Sequence, residues 1–113
     1  MKIIHKNQTK EFNNSDQCLA IEYPLGDKDI NGAVIKLNGR YPNKGQVVNA
    51  VCKEMAYIIK GSGKVVVDGQ EINFFQGDLI LINKNEKYYW QGNCEMFVPC
   101  VPAWYPEQHR EID

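Results

Sequence analysis

Glu54 is the residue of this 113-residue chain that is best suited to acid–base chemistry. It stands at the head of a short apolar run that predicts a β-strand, in which alternate side chains face opposite sides of the sheet. If the Glu54 carboxyl faces the interior, Ala56 and Ile58 share its surroundings. Burial among aliphatic side chains raises the pKa of a carboxyl, so Glu54 is a candidate general acid or base near neutral pH.

The composition is that of one soluble globular domain over residues 1–113, with 43% hydrophobic and 24% charged residues. A formal net charge of −1 offers no basic surface for a phosphate backbone, so we predict no nucleic acid partner. The N-terminus becomes polar at once, and no run of about twenty apolar residues occurs. We therefore expect no membrane association and, by default, a cytoplasmic location.

The four cysteines are spread singly along the chain, without a C-x-x-C pair. They stand at positions 18, 52, 94 and 100. We predict buried, reduced thiols rather than disulfides or a zinc site. The two histidines, His5 and His109, lie in terminal segments, where a lone histidine is typically solvent-exposed. Neither is predicted to belong to a site.

Short apolar runs, cut by Gly, Asn and Pro every eight to twelve residues, predict an all-β sandwich or barrel. The candidate strands are 18–23, 32–37, 46–51, 55–60, 64–67, 70–74, 79–82, 87–91 and 96–101. Asp68-Gly69 predicts a two-residue hairpin turn of type I′, because both residues tolerate a positive φ. Residues 61–64 resemble a phosphate loop only by letter, because no helix follows, and we interpret them as a turn between strands.

The two ends of the chain are predicted to differ from the strand-rich middle. Residues 1–16 are polar and are interpreted as a loosely ordered N-terminal arm. Residues 99–113 are interpreted as an extended C-terminal strap, because their three prolines are incompatible with a central strand. Trp104 and Tyr105 are expected to hold this strap against the barrel surface or rim.

Two spaced motifs resemble those of the cupin family. Glu54 and Gly61 bracket six residues, as at the end of the first cupin motif, and the second motif begins at Gly77-Asp78 and continues to Asn85. With residues 39–42 and the C-terminal strap, the chain resembles small single-domain cupins that lack the metal-binding histidines. The resemblance implies an all-β fold, the double-stranded β-helix or jelly-roll barrel, made of two packed antiparallel sheets.

The resemblance also identifies the positions at which cupins hold a metal ion. The three histidine positions fall on Val47, Asn49 and Tyr88, and only Glu54 matches a family ligand. A transition metal usually needs three protein ligands, so we predict no metal and no other cofactor. A residual metal site that uses Glu54 with recruited Cys or His is retained as a weaker alternative.

Under this resemblance the cavity would be lined by Asn49, Glu54, Tyr88 and Trp90, with aliphatic walls. Such an apolar pocket with a few polar groups suits a small organic ligand. Two alternatives stay open at this point. Glu54 could instead only order the barrel, hydrogen-bonded to Asn49 and Tyr88, and Tyr88 could simply fill the space of a lost metal.

Two functions follow from this site. The first is a metal-independent module that binds a small polar ligand, such as a sugar or metabolite, and the second is a metal-independent isomerase, epimerase or lyase. In the enzyme, Glu54 and Tyr88 would be the catalytic residues. We favour binding over catalysis here, because no His or Lys stands at a motif position to act as a second acid or base.

The outer surface of the barrel is predicted to be unusually apolar. Val65, Val66 and Val67 follow one another without a polar residue, and Met55, Tyr57 and Ile59 face away from the interior. A strand covered on both faces indicates a second subunit outside the barrel. We therefore expect a homodimer.

Overall fold

The computed structural model describes all residues, 1–113, and consists almost entirely of β-strands. The strands are β1 (Lys10–Ser15), β2 (Cys18–Glu22), β3 (Asn31–Tyr41), β4 (Gln46–Asn49), β5 (Lys53–Val67), β6 (Gln70–Phe75), β7 (Leu79–Ile82), β8 (Lys87–Val101) and β9 (His109–Ile112). The only helical segments are short 3₁₀ turns at Lys6–Gln8 and Pro106–Gln108. No helix is long and apolar enough to cross a lipid bilayer.

All strand pairs are antiparallel, and they form one curled sheet around a single core. The order β1-β2-β3-β8-β4-β9 runs along this sheet, and β5 pairs with β6, β7 and β8. The predicted all-β cupin barrel is confirmed, although the expected two sheets are joined by hydrogen bonds into one. The joint is β8, which is flanked by β3 on one edge and by β5 on the other.

Strands β5 and β8 are each longer than the sequence pattern predicts. The turn expected at residues 61–64 lies inside β5, so that prediction was wrong. Gly61 has a φ of +89°, close to a register shift between Ile58 and Lys60, and a Cβ there would lie 2.2 Å from the Asn93 carbonyl oxygen. Glycine here permits a kink within a continuous strand, rather than a reversal of the chain.

The alternation expected around Glu54 is confirmed. Ala56 and Ile58 are buried in the core, whereas Met55 and Tyr57 are exposed on the outer face. The core cluster contains fifteen buried residues and draws most of them from β5 and β8. Several of its members also line the cavity described below.

The two ends of the chain are more regular than predicted. Part of the expected N-terminal arm forms β1, which is exposed but paired along β2. In the expected strap, β8 continues through Pro99 to Val101, and β9 pairs with β4. Pro99 is tolerated in this central strand because the β5 pairing passes from Cys100 to Phe97 without using it.

The hairpin predicted at Asp68-Gly69 connects β5 to β6, and both residues have positive φ, 49° and 82°. A Cβ at Gly69 would meet no atom within 4 Å, so a substitution there tests backbone strain alone. We expect Gly69→Val to lower the free energy of unfolding by about 1–2 kcal/mol, because a β-branched residue is strained at positive φ. Thermal denaturation measures this, and Gly69→Asn, which tolerates this φ, is the matched control. An unchanged melting temperature in the valine variant would contradict the assigned turn.

The outer face of β5–β8 carries an exposed apolar patch. Its members are Met55, Tyr57, Ile59, Phe75, Leu79, Leu81, Phe97 and Val101. The β-sheet register places Tyr57 beside both Leu79 and Phe97, so the patch is continuous across three strands. We propose that a second copy of the chain covers this patch, since a two-fold contact brings the same apolar surface together from both sides.

Light scattering tests the proposed homodimer directly. We expect a mass of about twice the 13.0 kDa of one chain at micromolar concentration. Tyr57→Lys should convert the protein to a monomer, because it places a charge at the centre of the patch. Ile3→Lys, which changes an exposed apolar residue elsewhere, should leave the dimer intact. A wild-type monomer under these conditions would rule out the proposal.

Candidate active site

One cavity of about 120 Å³ enters the barrel between the β2–β3 wall and the C-terminal segment. A single water molecule needs only roughly 10–15 Å³, so the cavity has room for a small organic molecule. Thirteen of the nineteen lining residues are hydrophobic. Polar atoms on the cavity wall come from Glu54, His109 and the tyrosine hydroxyls of Tyr41 and Tyr88, and these four residues lie on four different strands.

Glu54 and Tyr88 lie together, as predicted, and Asn49 joins them. The Tyr88 hydroxyl donates a hydrogen bond to Oε1 of Glu54, and Asn49 Nδ2 donates to the same oxygen over 3.1 Å. Asn49 Nδ2 also donates to the Tyr88 hydroxyl over 3.2 Å. Oε1 is therefore fully used, whereas Oε2 has no hydrogen-bond partner. Since no buried side-chain polar atom lacks a partner, Oε2 must be accessible, and Glu54 lines the cavity.

The environment of Glu54 favours its protonated form. Burial raises the pKa of the carboxyl above its ordinary value, although the hydrogen bonds from Tyr88 and Asn49 oppose this shift. When the carboxyl is protonated, the proton resides on the accessible Oε2, because Oε1 already accepts two hydrogen bonds. Burial and the neighbouring Glu54 carboxyl raise the pKa of Tyr88 well above its ordinary value, so Tyr88 remains a donor.

His109 belongs to the site, and the prediction that it is solvent-exposed was wrong. Pairing of β9 with β4 brings it opposite Asn49, and it lines the cavity. Its Nδ1 lies 2.7 Å from Oδ1 of Asn49, and its Nε2 lies 2.7 Å from the Tyr41 hydroxyl. The Asn49 oxygen can only accept, so Nδ1 carries the proton and Nε2 accepts from Tyr41. His5, in contrast, is exposed as expected.

Burial lowers the pKa of His109 to about 4, so its imidazole is neutral at pH 7. Burial is also the main cause that raises the pKa of Tyr41, which therefore keeps its proton. A stacking contact between the two rings, with centroids 6.2 Å apart and planes at 10°, holds them parallel. Neutral His109 with Tyr41 is thus a potential proton acceptor on the cavity wall, which sequence reasoning missed.

Asn49 does not line the cavity, although we expected it to bind the ligand. It is 1% exposed, and both its polar atoms are committed to protein partners. Nδ2 holds Glu54 and Tyr88, while Oδ1 holds His109 and accepts a 3.0 Å hydrogen bond from Gln108 Nε2. Asn49 is therefore a positioning residue that connects the acidic and basic parts of the site.

Gln108 fastens the C-terminal segment to the strand that carries Glu54. Its side-chain oxygen accepts hydrogen bonds from the backbone N–H groups of Val51 and Cys52, immediately before β5. Its backbone carbonyl accepts a hydrogen bond from the N–H group of Ala50. The residue is buried, with all these groups satisfied. This anchor sets where β9 begins and hence where His109 lies.

Two tryptophans form apolar walls of the cavity. Trp90, a predicted site residue, lines it but is 6% exposed and packs edge-on against Phe74 with ring centroids 5.5 Å apart. Trp104 lies in the expected strap, and its backbone exchanges two hydrogen bonds with the Asn31 side chain. Tyr105 beside it is exposed, so Trp104 alone packs on the core.

The residues at the cupin ligand positions do not fit a metal ion. Val47 has no donor atom, and the polar atoms of Asn49 and Tyr88 are committed to hydrogen bonds within the protein. Both ring nitrogens of His109 also have partners. No group of three or more His, Cys, Asp or Glu side chains is arranged to hold a metal. The donor set required by the recruited-ligand alternative is therefore absent.

All four cysteines are free and buried, as predicted. Two of them, Cys18 and Cys100, line the cavity. Burial raises the pKa of Cys18 to about 12, and a hydrogen bond with Cys52 together with burial raises that of Cys100. Both cavity thiols therefore stay protonated and are poor nucleophiles.

No curated protein sequence is similar to this chain. Among solved structures, a Streptomyces PAC13 variant with uridine superimposes with a TM-score of 0.91 at 16% identity, covering 99% of this chain and 90% of that one. Pac13 itself, described as a nucleoside dehydratase, has a TM-score of 0.90 at 16% identity over 99% and 91% of the two chains. The polyketide cyclase RemF from Streptomyces resistomycificus has a TM-score of 0.76 at 15% identity over 100% and 86%. At these identities the likeness demonstrates a shared fold.

The sequence itself carries a family signature. The profile of the EutQ-like cupin domain matches residues 41–97, about half of the chain. The matched region begins at Tyr41, contains Glu54 and Tyr88, and ends within β8. The chain therefore belongs to the EutQ-like cupin domain family.

Proposed function

We propose that this protein is a metal-independent acid–base enzyme of the lyase or isomerase class that acts on a small hydroxylated molecule. The observation that supports this most strongly is the pairing of Glu54 with the Tyr41–His109 pair on one cavity. Burial raises the pKa of the Glu54 carboxyl and lowers that of the His109 imidazole to about 4, so both groups are uncharged between about pH 4 and the raised pKa of Glu54. Such a pair is suited to one acid and one base.

Elimination of water from a substrate illustrates the chemistry. The Tyr41 oxygen removes a proton from carbon as its own proton passes to Nε2 of His109. The C–H electron pair forms the new double bond, and the C–O bond breaks. Glu54 delivers the proton on Oε2 to the departing hydroxyl, which leaves as water. Transfer of the proton from His109 back to Glu54 through water restores the starting state.

Tyr88 and Asn49 support Glu54 in this scheme. After Glu54 has lost its proton, their hydrogen bonds to Oε1 stabilise the carboxylate that forms. In the resting state the same hydrogen bonds lower the pKa of Glu54, but burial has the larger effect and the pKa stays above its ordinary value. Isomerisation or epimerisation needs the same two groups, with reprotonation at carbon instead of loss of water.

The comparisons support a catalytic or ligand-binding role without selecting a reaction. Pac13 is described as a nucleoside dehydratase and RemF as a polyketide cyclase, and PAC13 variants with a substituted tyrosine or histidine have been solved with uridine. Tyrosine and histidine also line the cavity here. The sequence favoured a binding module because it showed no second acid or base, and His109 removes that reason.

The cytoplasmic location stays a prediction.

Solvent exchange and mass spectrometry test the proposal without a known substrate. The protein is incubated in D₂O with a panel of sugars, nucleosides and hydroxylated carbonyl compounds. We expect one class to gain deuterium at carbon or to lose the mass of water. Heat-denatured protein is the control. Binding of a panel member with neither change would favour the binding module over the enzyme.

A further inference from the structure

The charges around the cavity are all of one kind. Of the nineteen lining residues, only Glu22 and Glu54 can carry a negative charge, and none carries a positive one, because His109 is neutral. The chain has thirteen lysines and arginines, yet none of them lines the cavity. A phosphate or carboxylate is normally bound by Arg, Lys or backbone N–H groups. This site offers no such cation.

Glu22 lies at the end of β2, where it pairs with Lys10 of β1 and Ala33 of β3; Lys10 is outside the cavity lining and makes no ion pair with it. It forms neither a hydrogen bond nor an ion pair with the protein, although it is half-buried. Burial raises its pKa, which shows that the loss of water around this carboxyl is not compensated by a protein donor. Donors from a ligand, such as hydroxyl or amide N–H groups, would supply the missing hydrogen bonds.

Two further polar side chains are free to contact a ligand. Asn14 and Tyr23 line the cavity, and neither side chain makes a hydrogen bond within the protein. Asn31 also lines it, but both polar atoms of its amide are used by Trp104. The free recognition groups are therefore one carboxylate, one amide and one phenol, set in apolar walls.

We propose that this site takes an uncharged hydroxylated substrate and rejects the corresponding phosphate or carboxylate, with Glu22 as the specificity-determining residue. This inference rests on the proposed function, since it concerns the same cavity. An anion would lie beside one or two carboxyl groups with no cation in the cavity lining to offset the repulsion, in surroundings that are largely apolar. Neutral hydroxyl groups would instead donate to Glu22 and meet Asn14 and Tyr23.

Matched pairs of small molecules test this by NMR, with the indole N–H signals of Trp90 and Trp104 as reporters of cavity binding. The probes are uridine and uridine 5′-monophosphate, glucose and glucose 6-phosphate, and benzyl alcohol and benzoate, each at millimolar concentration. We expect at least one neutral member to bind about tenfold or more tightly than its anion. Equal or tighter binding of the anions overturns the proposal. Absence of binding by every neutral member overturns it too.

Variants of Glu22 test whether its charge, rather than the shape of the cavity, determines the preference for neutral ligands. Glu22→Lys should reverse the preference in favour of the phosphate, and Glu22→Gln should reduce the discrimination in case the lysine variant does not fold. Glu11→Lys makes the same change of charge on the neighbouring strand, outside the cavity lining, and should leave the preference unchanged. An unaltered preference in both Glu22 variants contradicts the assignment.

The selectivity proposal and the acid–base proposal can be contradicted separately. If neutral probes bind selectively and none is converted in the exchange assay, the acid–base proposal fails while the selectivity stands. If conversion occurs and the preferred substrate is an anion, the selectivity fails while the acid–base proposal stands.

Discussion

Replacement of Glu54 by glutamine should lower turnover by about 10²- to 10⁴-fold while largely preserving the fold and ligand affinity. Glutamine can still accept hydrogen bonds from Asn49 and Tyr88 through its side-chain oxygen. Its amide cannot deliver the proton that Glu54 carries on Oε2. The measurement is kcat and KM for a substrate found by the exchange assay. Glu107→Gln, an exposed change on the C-terminal segment, is the matched control.

The pH dependence of activity should also identify Glu54 as the acid and His109 as the base. Glu54 must be protonated to act as the acid, so activity falls as pH rises through its raised pKa. The imidazole of His109 must be neutral to act as the base, so activity falls as pH drops through about 4. We expect a bell-shaped profile whose alkaline limb disappears in Glu54→Gln. If the Glu54 carboxyl titrates at its ordinary value and the substitution changes neither binding nor turnover, the barrel is better described as a structural or oligomerisation module.

Glu54→Gln should also change how the stability of the protein depends on pH. The folded state holds the Glu54 proton more tightly than the unfolded state, whose carboxyl titrates near 4.5. The wild type therefore loses stability as pH rises from about 4.5 through the raised folded pKa, and Glu54→Gln does not. We expect equal melting temperatures in acid and a higher melting temperature for the variant at higher pH.

If the protein is a binding module, Glu54→Gln should change ligand affinity by about 1–3 kcal/mol, and no compound should be converted.

Replacement of His109 by asparagine should also lower turnover by about 10²- to 10⁴-fold, because the site loses its base. Asparagine can keep a donor towards Asn49, so the hydrogen bond that orients β9 has a replacement. It cannot take the proton that Tyr41 passes on. The expected signature is a loss in kcat with little change in KM. His5→Asn, at the chain's other histidine, is the matched control and should have no effect.

Tyr41→Phe distinguishes a proton relay from direct attack by the imidazole. If Tyr41 carries the proton, this variant should lose turnover to a similar extent as His109→Asn, and the double variant should be no worse than either single one. Full activity in Tyr41→Phe would assign the base to His109 alone. Full activity in His109→Asn would remove the base from the mechanism altogether.

His109 should contribute a loss of stability in mild acid, opposite in sign to the contribution of Glu54. The unfolded chain binds a proton on His109 near pH 6.5, whereas the folded chain resists it down to about 4. The contribution is therefore present above pH 6.5 and is lost as pH falls through that window. The loss should be smaller in His109→Asn and unchanged in His5→Asn, as measured by thermal denaturation.

The family resemblance and local patterns were sufficient to predict the barrel and one half of the site. Strand alternation places Ala56 and Ile58 beside Glu54, and the Asp68-Gly69 turn has the positive φ values that its sequence requires. The motif spacing correctly brings Tyr88 and Asn49 to Glu54. These features depend on neighbours in sequence or on a spacing that one fold imposes, so a single sequence carries them.

The position of His109 in the site and the full length of β5 and β8 depend on contacts between distant segments, which are seen only in the folded structure. His109 reaches the cavity because β9 pairs with β4 and Gln108 is anchored before β5, contacts between segments almost sixty residues apart. No local signal separates such a histidine from an exposed one near a terminus. Asn49 was expected to face the ligand, but the arrival of Gln108 and His109 behind it occupies its oxygen. Local periodicity and turn chemistry predicted an all-β protein, and the motif resemblance implied the cupin barrel with Glu54 inside it. Long-range strand pairing decided which base faces that carboxyl.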